Sequence, residues 1–138
     1  MSNYSGLKVL VVEDEGFVAL MIEDMLEDLG CEIVASAARL AEARALAATA
    51  TIDLAILDVN LAGHPSFPVA EILRERGIPF LFSTGYGQSG LSHDFTDQPL
   101  IGKPFSIKEL QETIALVLGS ATTWLQKSGS ARELRFEG

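Results

Sequence analysis

Acidic side chains crowd the end of the first apolar run of this chain: in "VLVVEDE", Glu13, Asp14 and Glu15 follow directly on Val12. Another acid, Asp58, closes "LAILD"; two hydroxyls, Ser83 and Thr84, close "PFLFST"; and an ammonium, Lys103, stands in "IGKPF". Brought together, Glu13, Asp14 and Asp58 would repel strongly unless positive charge lay between them. A hard divalent cation meets that need, and Mg²⁺ takes one or two carboxylates while keeping several waters. Lys103 would add a second positive charge, and the Thr84 hydroxyl can donate to an anionic oxygen. Such a set suits transfer of a phosphoryl group to a carboxylate, where positioning and charge neutralisation count for more than covalent assistance. Asp58 would be the nucleophile, becoming an acyl phosphate.

Taken singly, each residue has a plainer reading. Acids after a first strand favour the start of a helix through its dipole. An Asp at a strand end is commonly a turn residue, and a Thr there commonly a cap. The specificity lies in all four positions falling, in order, at the ends of the first, third, fourth and fifth strands.

Those strands can be read from the pattern. "LKVLVV" is a continuous, largely β-branched run, as expected of a strand covered on both faces. "GFVALMIEDMLEDLG" has apolar residues at helical spacing, with Gly30 as a stop. "CEIVASA", "DLAILDV", "IPFLFS" and "QPLIG" read as further strands. "LAEARALAAT" and "PVAEILRERG" read as helices, the second closed by Gly77. "FSIKELQETIALVLG" reads as the last helix, opened by a capping box of Ser106 and Glu109. Strand and helix alternate, which implies a parallel sheet with right-handed crossovers. The expected fold is α/β, a flavodoxin-like doubly wound five-stranded parallel sheet of strand order 2-1-3-4-5. In such a sheet ligands bind at the carboxyl ends of the strands, where the acids, Thr84 and Lys103 fall. Residues 1–120 are expected to form one domain, with 121–138 a helical extension through Trp124 and Leu125 or a flexible tail.

Composition narrows the function. The chain has 138 residues, 48% hydrophobic and 21% charged, and its 19 acids against 10 bases give a net charge of −9. That argues against a nucleic-acid-binding face, which needs clustered cations. No run reaches membrane-spanning length and no signal peptide opens the chain, so no membrane partner and a cytoplasmic location are expected. A single cysteine, Cys31, cannot form an internal disulfide and reads as a small apolar residue at a strand start. His64 and His93 fall in polar loops without partners at metal-ligand spacing. Phe80, Phe82 and Phe105 are expected in the core; Tyr86 and Phe95, in a glycine-rich connection, are the candidates for an exposed partner surface.

With these residues in place, the chain from about position 8 to 119 resembles the receiver domain of two-component response regulators. The resemblance of "VLVVEDE" implies that Asp14 holds Mg²⁺ directly and Glu13 largely through water. That of "LAILDVNL" implies that Asp58 is the phospho-acceptor and that the backbone carbonyl of Asn60 is a further Mg²⁺ ligand. "FSTG" matches the family's phosphoryl-sensing hydroxyl at Thr84, followed by Gly85. "GKPF" matches its phosphoryl-binding lysine at Lys103, with a cis bond to Pro104. Two departures stand out. Leu61-Ala62 and then "GHPSFP" replace the usual Met-Pro, so the loop after the acceptor is altered. Leu100 occupies the position of the family's aromatic switch residue. "FSTGYG" also resembles the Phe-Ala-Thr-Gly signature of an atypical subgroup of often single-domain receivers, with Ser83 for its alanine and Gly87 for its tyrosine.

The resemblance implies a single-domain response regulator that takes a phosphoryl group from a histidine kinase or histidine phosphotransfer protein and signals to a protein effector. One alternative is a receiver-like scaffold that acts without phosphorylation. Another is an aspartyl-nucleophile phosphatase, which would need an acid where Asn60 stands. Homodimerisation, through the fourth and fifth helices or the first and fifth as the resemblance implies, stays open. Because interior glycines each cost about 1 kcal/mol against alanine, the stretch from Gly85 to Pro99 is expected to be a short or mobile fourth helix that reorders on phosphorylation.

Overall fold

The computed structural model describes residues 4–85, 95 and 97–128, the stretch 120–128 as helix backbone alone. The segment expected to hold the fourth helix lies mostly outside these residues, as do Tyr86, Gly87, His93 and the tail beyond 128.

The strands are β1 (Lys8–Val12), β2 (Glu32–Ala37), β3 (Leu54–Asp58), the two-residue β4 (Asn60–Leu61) and β5 (His64–Pro65), β6 (Phe80–Thr84) and β7 (Leu100–Gly102). The helices are α1 (Gly16–Asp28), α2 (Leu40–Thr49), α3 (Phe67–Arg76) and α4 (Ile107–Ser128). Five strands form one sheet in the order β2-β1-β3-β6-β7, and every pairing in it is parallel. This is the order the sequence implied, with the small β4–β5 hairpin interposed in the numbering. The sheet order reverses between β1 and β3, and the acids end on those two strands.

Alternation along each strand supplies two cores. Leu10, Val12, Ala55, Leu57, Phe80 and Phe82 point to the side covered by α2 and α3, where they meet Ala43, Ala47, Val69 and Leu73. Val9, Val11, Leu54, Ile56, Leu81 and Ile101 point to the side covered by α1 and α4, onto Ile22, Leu26, Leu110 and Ile114. Helices on both faces explain why the central strands read as unbroken apolar runs. Gly77 ends α3 in the left-handed region at φ 72°, and Ile78 N–H then donates to Leu73 at 2.9 Å, closing the helix as its sequence implied. The capping box of α4 is present: Ser106 N–H donates to Glu109 Oε1 at 2.8 Å, and Glu109 N–H donates to Ser106 Oγ at 3.1 Å.

Phe80, Phe82 and Phe105 are buried as expected, and His64 is exposed. Phe95 corrects the sequence reading. It is 1% exposed and lies in the α2–α3 core, its ring 5.4 Å from that of Phe67 and 5.7 Å from that of Phe82. The polar, glycine-rich neighbours of Phe95 concealed a side chain whose large apolar area is worth burying wherever the backbone can reach.

Cys31 is buried just before β2, and burial pushes its thiol up to about 11. Only the thiolate is nucleophilic, so at pH 8 roughly one molecule in a thousand would carry it, against about a quarter with an ordinary thiol near 8.5. Native protein should therefore react with a disulfide reagent at least ~100-fold more slowly than protein unfolded in urea. Comparable rates would show that Cys31 is accessible.

Candidate phosphoryl-acceptor site

β1 and β3 run side by side with Val12 opposite Leu57, so the chain leaves both strands at the same edge. Glu13 is held there by its own N–H donating to Ala37 at 3.0 Å, which extends the β1–β2 ladder by one residue. Oxygens of Glu13, Asp14 and Asp58 come within 4.8 Å of one another. β7 brings in the fourth member, because Lys103 follows Gly102 and its N–H donates to the Thr84 carbonyl at 2.7 Å. The Lys103–Pro104 peptide is cis, as the resemblance implied. The Lys103 ammonium lies 2.9 Å from Glu13 Oε1 and 3.1 Å from Asp58 Oδ2.

Among the described residues, one ammonium serves this cluster of three carboxylates and pairs with two of them. Burial pushes Glu13 up to about 7, and the neighbouring Asp58 charge adds to that while Lys103 pulls the other way. Asp58 is raised too, first by burial, against the hydrogen bonds it accepts from Asn60 and Lys103. Asp14 differs. Burial acts to raise it, but the hydrogen bond from Ala62, helped by Asp58, holds it below the ordinary carboxylate range. For Lys103, burial disfavours the charge, yet its bonds to Glu13 and Asp58 outweigh that and leave it raised.

Thr84 is buried at the end of β6 and, with Gly85 and Lys103, lines a cavity of about 860 Å³ that also includes Asp14, Asp58 and Asn60. Met21 and Met25 of α1, with Phe105, add apolar surface to the lining of this cavity. Leu100, at the expected aromatic position, is half-buried; it pairs with Phe82 in register and packs against the α2–α3 core. All the residues singled out for chemistry thus meet at one edge of the sheet.

The sequence reading missed the hairpin that follows Asp58. β4 and β5 pair antiparallel, Asn60 with Pro65 and Leu61 with His64, around Ala62 and Gly63 at φ 51° and 92°. Positive φ at both central residues is the type of turn that favours two-residue hairpins. The Gly at the second turn position was the available signal. Alanine at the first position, in place of the usual Asn or Asp, obscured it. Asn60 N–H donates to Asp58 Oδ1 at 3.2 Å, Ala62 N–H to Asp14 Oδ2 at 2.9 Å, and Gly63 N–H to Asn60 Oδ1 at 2.7 Å.

Comparison with known proteins decides the family. The response regulator receiver domain matches residues 9–115. The chain belongs to that family. Among solved receivers it is similar to SdrG from Sphingomonas melonis Fr1, with 41% identity and a TM-score of 0.75 over 86% of this chain and 99% of that one. A solution structure described as the BeF3-activated conformation of SdrG, from Pseudomonas melonis Fr1, is similar at 41% identity and a TM-score of 0.71, covering 83% of this receiver and 98% of that chain. The transcriptional regulatory protein PdtaR of Mycobacterium tuberculosis is 33% identical over 115 residues, 80% of this chain and 56% of PdtaR. The receiver thus spans about half the length of the curated relatives it matches.

Proposed function

We propose that this receiver accepts a phosphoryl group on Asp58 from a phosphohistidine on a histidine kinase or histidine phosphotransfer protein. The observation that carries the reading is Lys103 lying within 3.1 Å of Asp58 and 2.9 Å of Glu13, in a cavity shared with Thr84. An Asp58 oxygen attacks phosphorus in line, the new P–O bond forming as the P–N bond to the donor imidazole breaks. The bonding pair passes to the imidazole nitrogen, which takes a proton from solvent. Lys103, already at the acceptor carboxylate, then pairs with a phosphoryl oxygen, and the Thr84 hydroxyl donates to another.

The donor set fits Mg²⁺. It consists of oxygens only, those of the three carboxylates gathered within 4.8 Å. Burial, with the neighbouring Asp58 charge, pushes Glu13 up to about 7 against the pull of Lys103, and a cation there would favour its charged form. Glu13, Asp14, Asp58 and the backbone carbonyl of Asn60 would hold the ion, which when bound neutralises the phosphoryl oxygens as their charge develops. Incubation with acetyl phosphate and Mg²⁺ followed by borohydride reduction tests the assignment, since reduction turns an acyl phosphate into an alcohol visible by mass spectrometry. Modification at residue 58 is the expected result; modification elsewhere, or none, would refute it.

The donor protein is expected to dock on α1 beside the site. Phe17 is 86% exposed, and Leu20 and Met21 are also exposed on the same helix. Such a cluster of large apolar side chains on the surface is a mark of an interaction site. Phe17→Ala should slow phosphotransfer from the donor protein by roughly tenfold, the size of one lost apolar anchor of about 1.4 kcal/mol. Labelling by acetyl phosphate, which needs no docking surface, should be unchanged. Equal slowing of both reactions would place the defect in the site and not in docking. Signal output is then a change in contact with a protein effector.

A further inference from the structure

The hairpin that replaces the usual loop after the acceptor is joined to the acidic site at two points. Asn60 N–H, at its base, donates to Asp58 Oδ1 at 3.2 Å, and Ala62 N–H, at its apex, donates to Asp14 Oδ2 at 2.9 Å. The second bond crosses 48 residues of sequence. Ala62 makes it from the left-handed region, φ 51°, a conformation that costs a non-glycine residue roughly 1 kcal/mol. The turn is further fixed by the Asn60 side chain accepting from Gly63 N–H at 2.7 Å. Asn60, Ala62, Gly63 and Pro65 together form one wall of the cavity.

We propose that the Ala62 amide is a positioning group for the cation site: it locks the Asp14 carboxylate so that one oxygen is spent on the hairpin and the other faces the ion. Hydrogen bonds to a ligating carboxylate from outside the coordination shell orient it, and their loss typically costs 10–100-fold in metal affinity. The hairpin thereby holds Asp14 and Asp58 in one frame, which reconciles an altered loop with an intact acidic site. This inference rests on the Mg²⁺ reading above.

Its test is a backbone substitution. L-lactic acid placed at position 62 by nonsense suppression keeps the methyl group and replaces the N–H with an ester oxygen. Affinity for Mn²⁺, a paramagnetic stand-in for Mg²⁺, is read by counting free ion in electron paramagnetic resonance. The expected result is about a tenfold loss of affinity, with the circular dichroism spectrum unchanged. Glycolic acid at position 63 is the control, since it removes the Gly63–Asn60 bond but leaves Asp14 its partner; it should change affinity less than threefold.

Wild-type affinity in the position-62 ester would overturn the proposal. An equal loss in the position-63 ester would also overturn it, by assigning the effect to the integrity of the turn. Failure of the unmodified protein to bind Mn²⁺ would instead overturn the metal reading, and this inference with it, and would be seen before any variant was made. Should the ester at position 62 fail to fold, hydrogen exchange of the Ala62 amide in unmodified protein decides. Exchange as fast as in an unstructured peptide would show that the bond to Asp14 does not persist.

Discussion

Asp58→Asn should abolish acyl-phosphate formation, lowering the labelling rate with acetyl phosphate by at least ~1,000-fold, while leaving the fold intact. An amide nitrogen or oxygen at this position is a far poorer nucleophile than a carboxylate, and the two other acids of the cluster are already engaged. Asp14 is tied to Ala62 at 2.9 Å, and Glu13 is committed to Lys103 at 2.9 Å and to the Glu15 amide at 3.1 Å. The stability change should be small for a reason the site makes explicit. Asparagine keeps an oxygen for the Asn60 N–H, Lys103 keeps Glu13, and the substitution removes a buried carboxylate whose charge burial already disfavours. A shift within about 1 kcal/mol in urea unfolding is expected. Labelling of the variant at the wild-type rate would show that the acceptor is elsewhere. Loss of labelling together with loss of cooperative unfolding would show that Asp58 is structural.

The parts of this receiver that could be read in advance are those where local pattern and long-range packing agree. β1 (Lys8–Val12) and β3 (Leu54–Asp58) are central strands covered on both faces, which is what their unbroken apolar runs require. The acids, Thr84 and Lys103 could be placed because each follows a strand directly, and parallel strands deliver their carboxyl ends to one edge. The cis Lys103–Pro104 bond came from the family motif and not from any physical pattern. Two features were not legible. The hairpin at Ala62 depends on an alanine in a conformation it disfavours, held there by an acid far away in sequence. Phe95 reads as exposed because its neighbours in the sequence are polar, yet its ring reaches the core. Both failures have one cause: the deciding partners, Asp14 in one case and Phe67 and Phe82 in the other, are distant along the chain.

That second feature predicts a large stability effect. Phe95 is 1% exposed, and its ring contacts three others: Phe67 at 5.4 Å nearly parallel, Phe82 at 5.7 Å edge-on, and Phe80 at 6.3 Å. The guanidinium of Arg74, on the exposed side of α3, lies 4.3 Å from the ring centre. The ring thus joins the first turn of α3 to β6, two residues before Thr84. Phe95→Ala should destabilise the domain by about 3–5 kcal/mol, the usual cost of emptying a fully buried aromatic site. Against a typical total of 5–15 kcal/mol that is a large share. Phe95→Leu, which fills much of the volume but forfeits the ring pairs, should cost about 1–2 kcal/mol. Arg74→Ala should cost about 0.5–1 kcal/mol, the range for a cation over a ring at an exposed site. Urea unfolding followed by circular dichroism measures all three. A cost below about 1 kcal/mol for Phe95→Ala would mean that the ring spends much of its time outside the core, as its polar neighbours in the sequence had suggested.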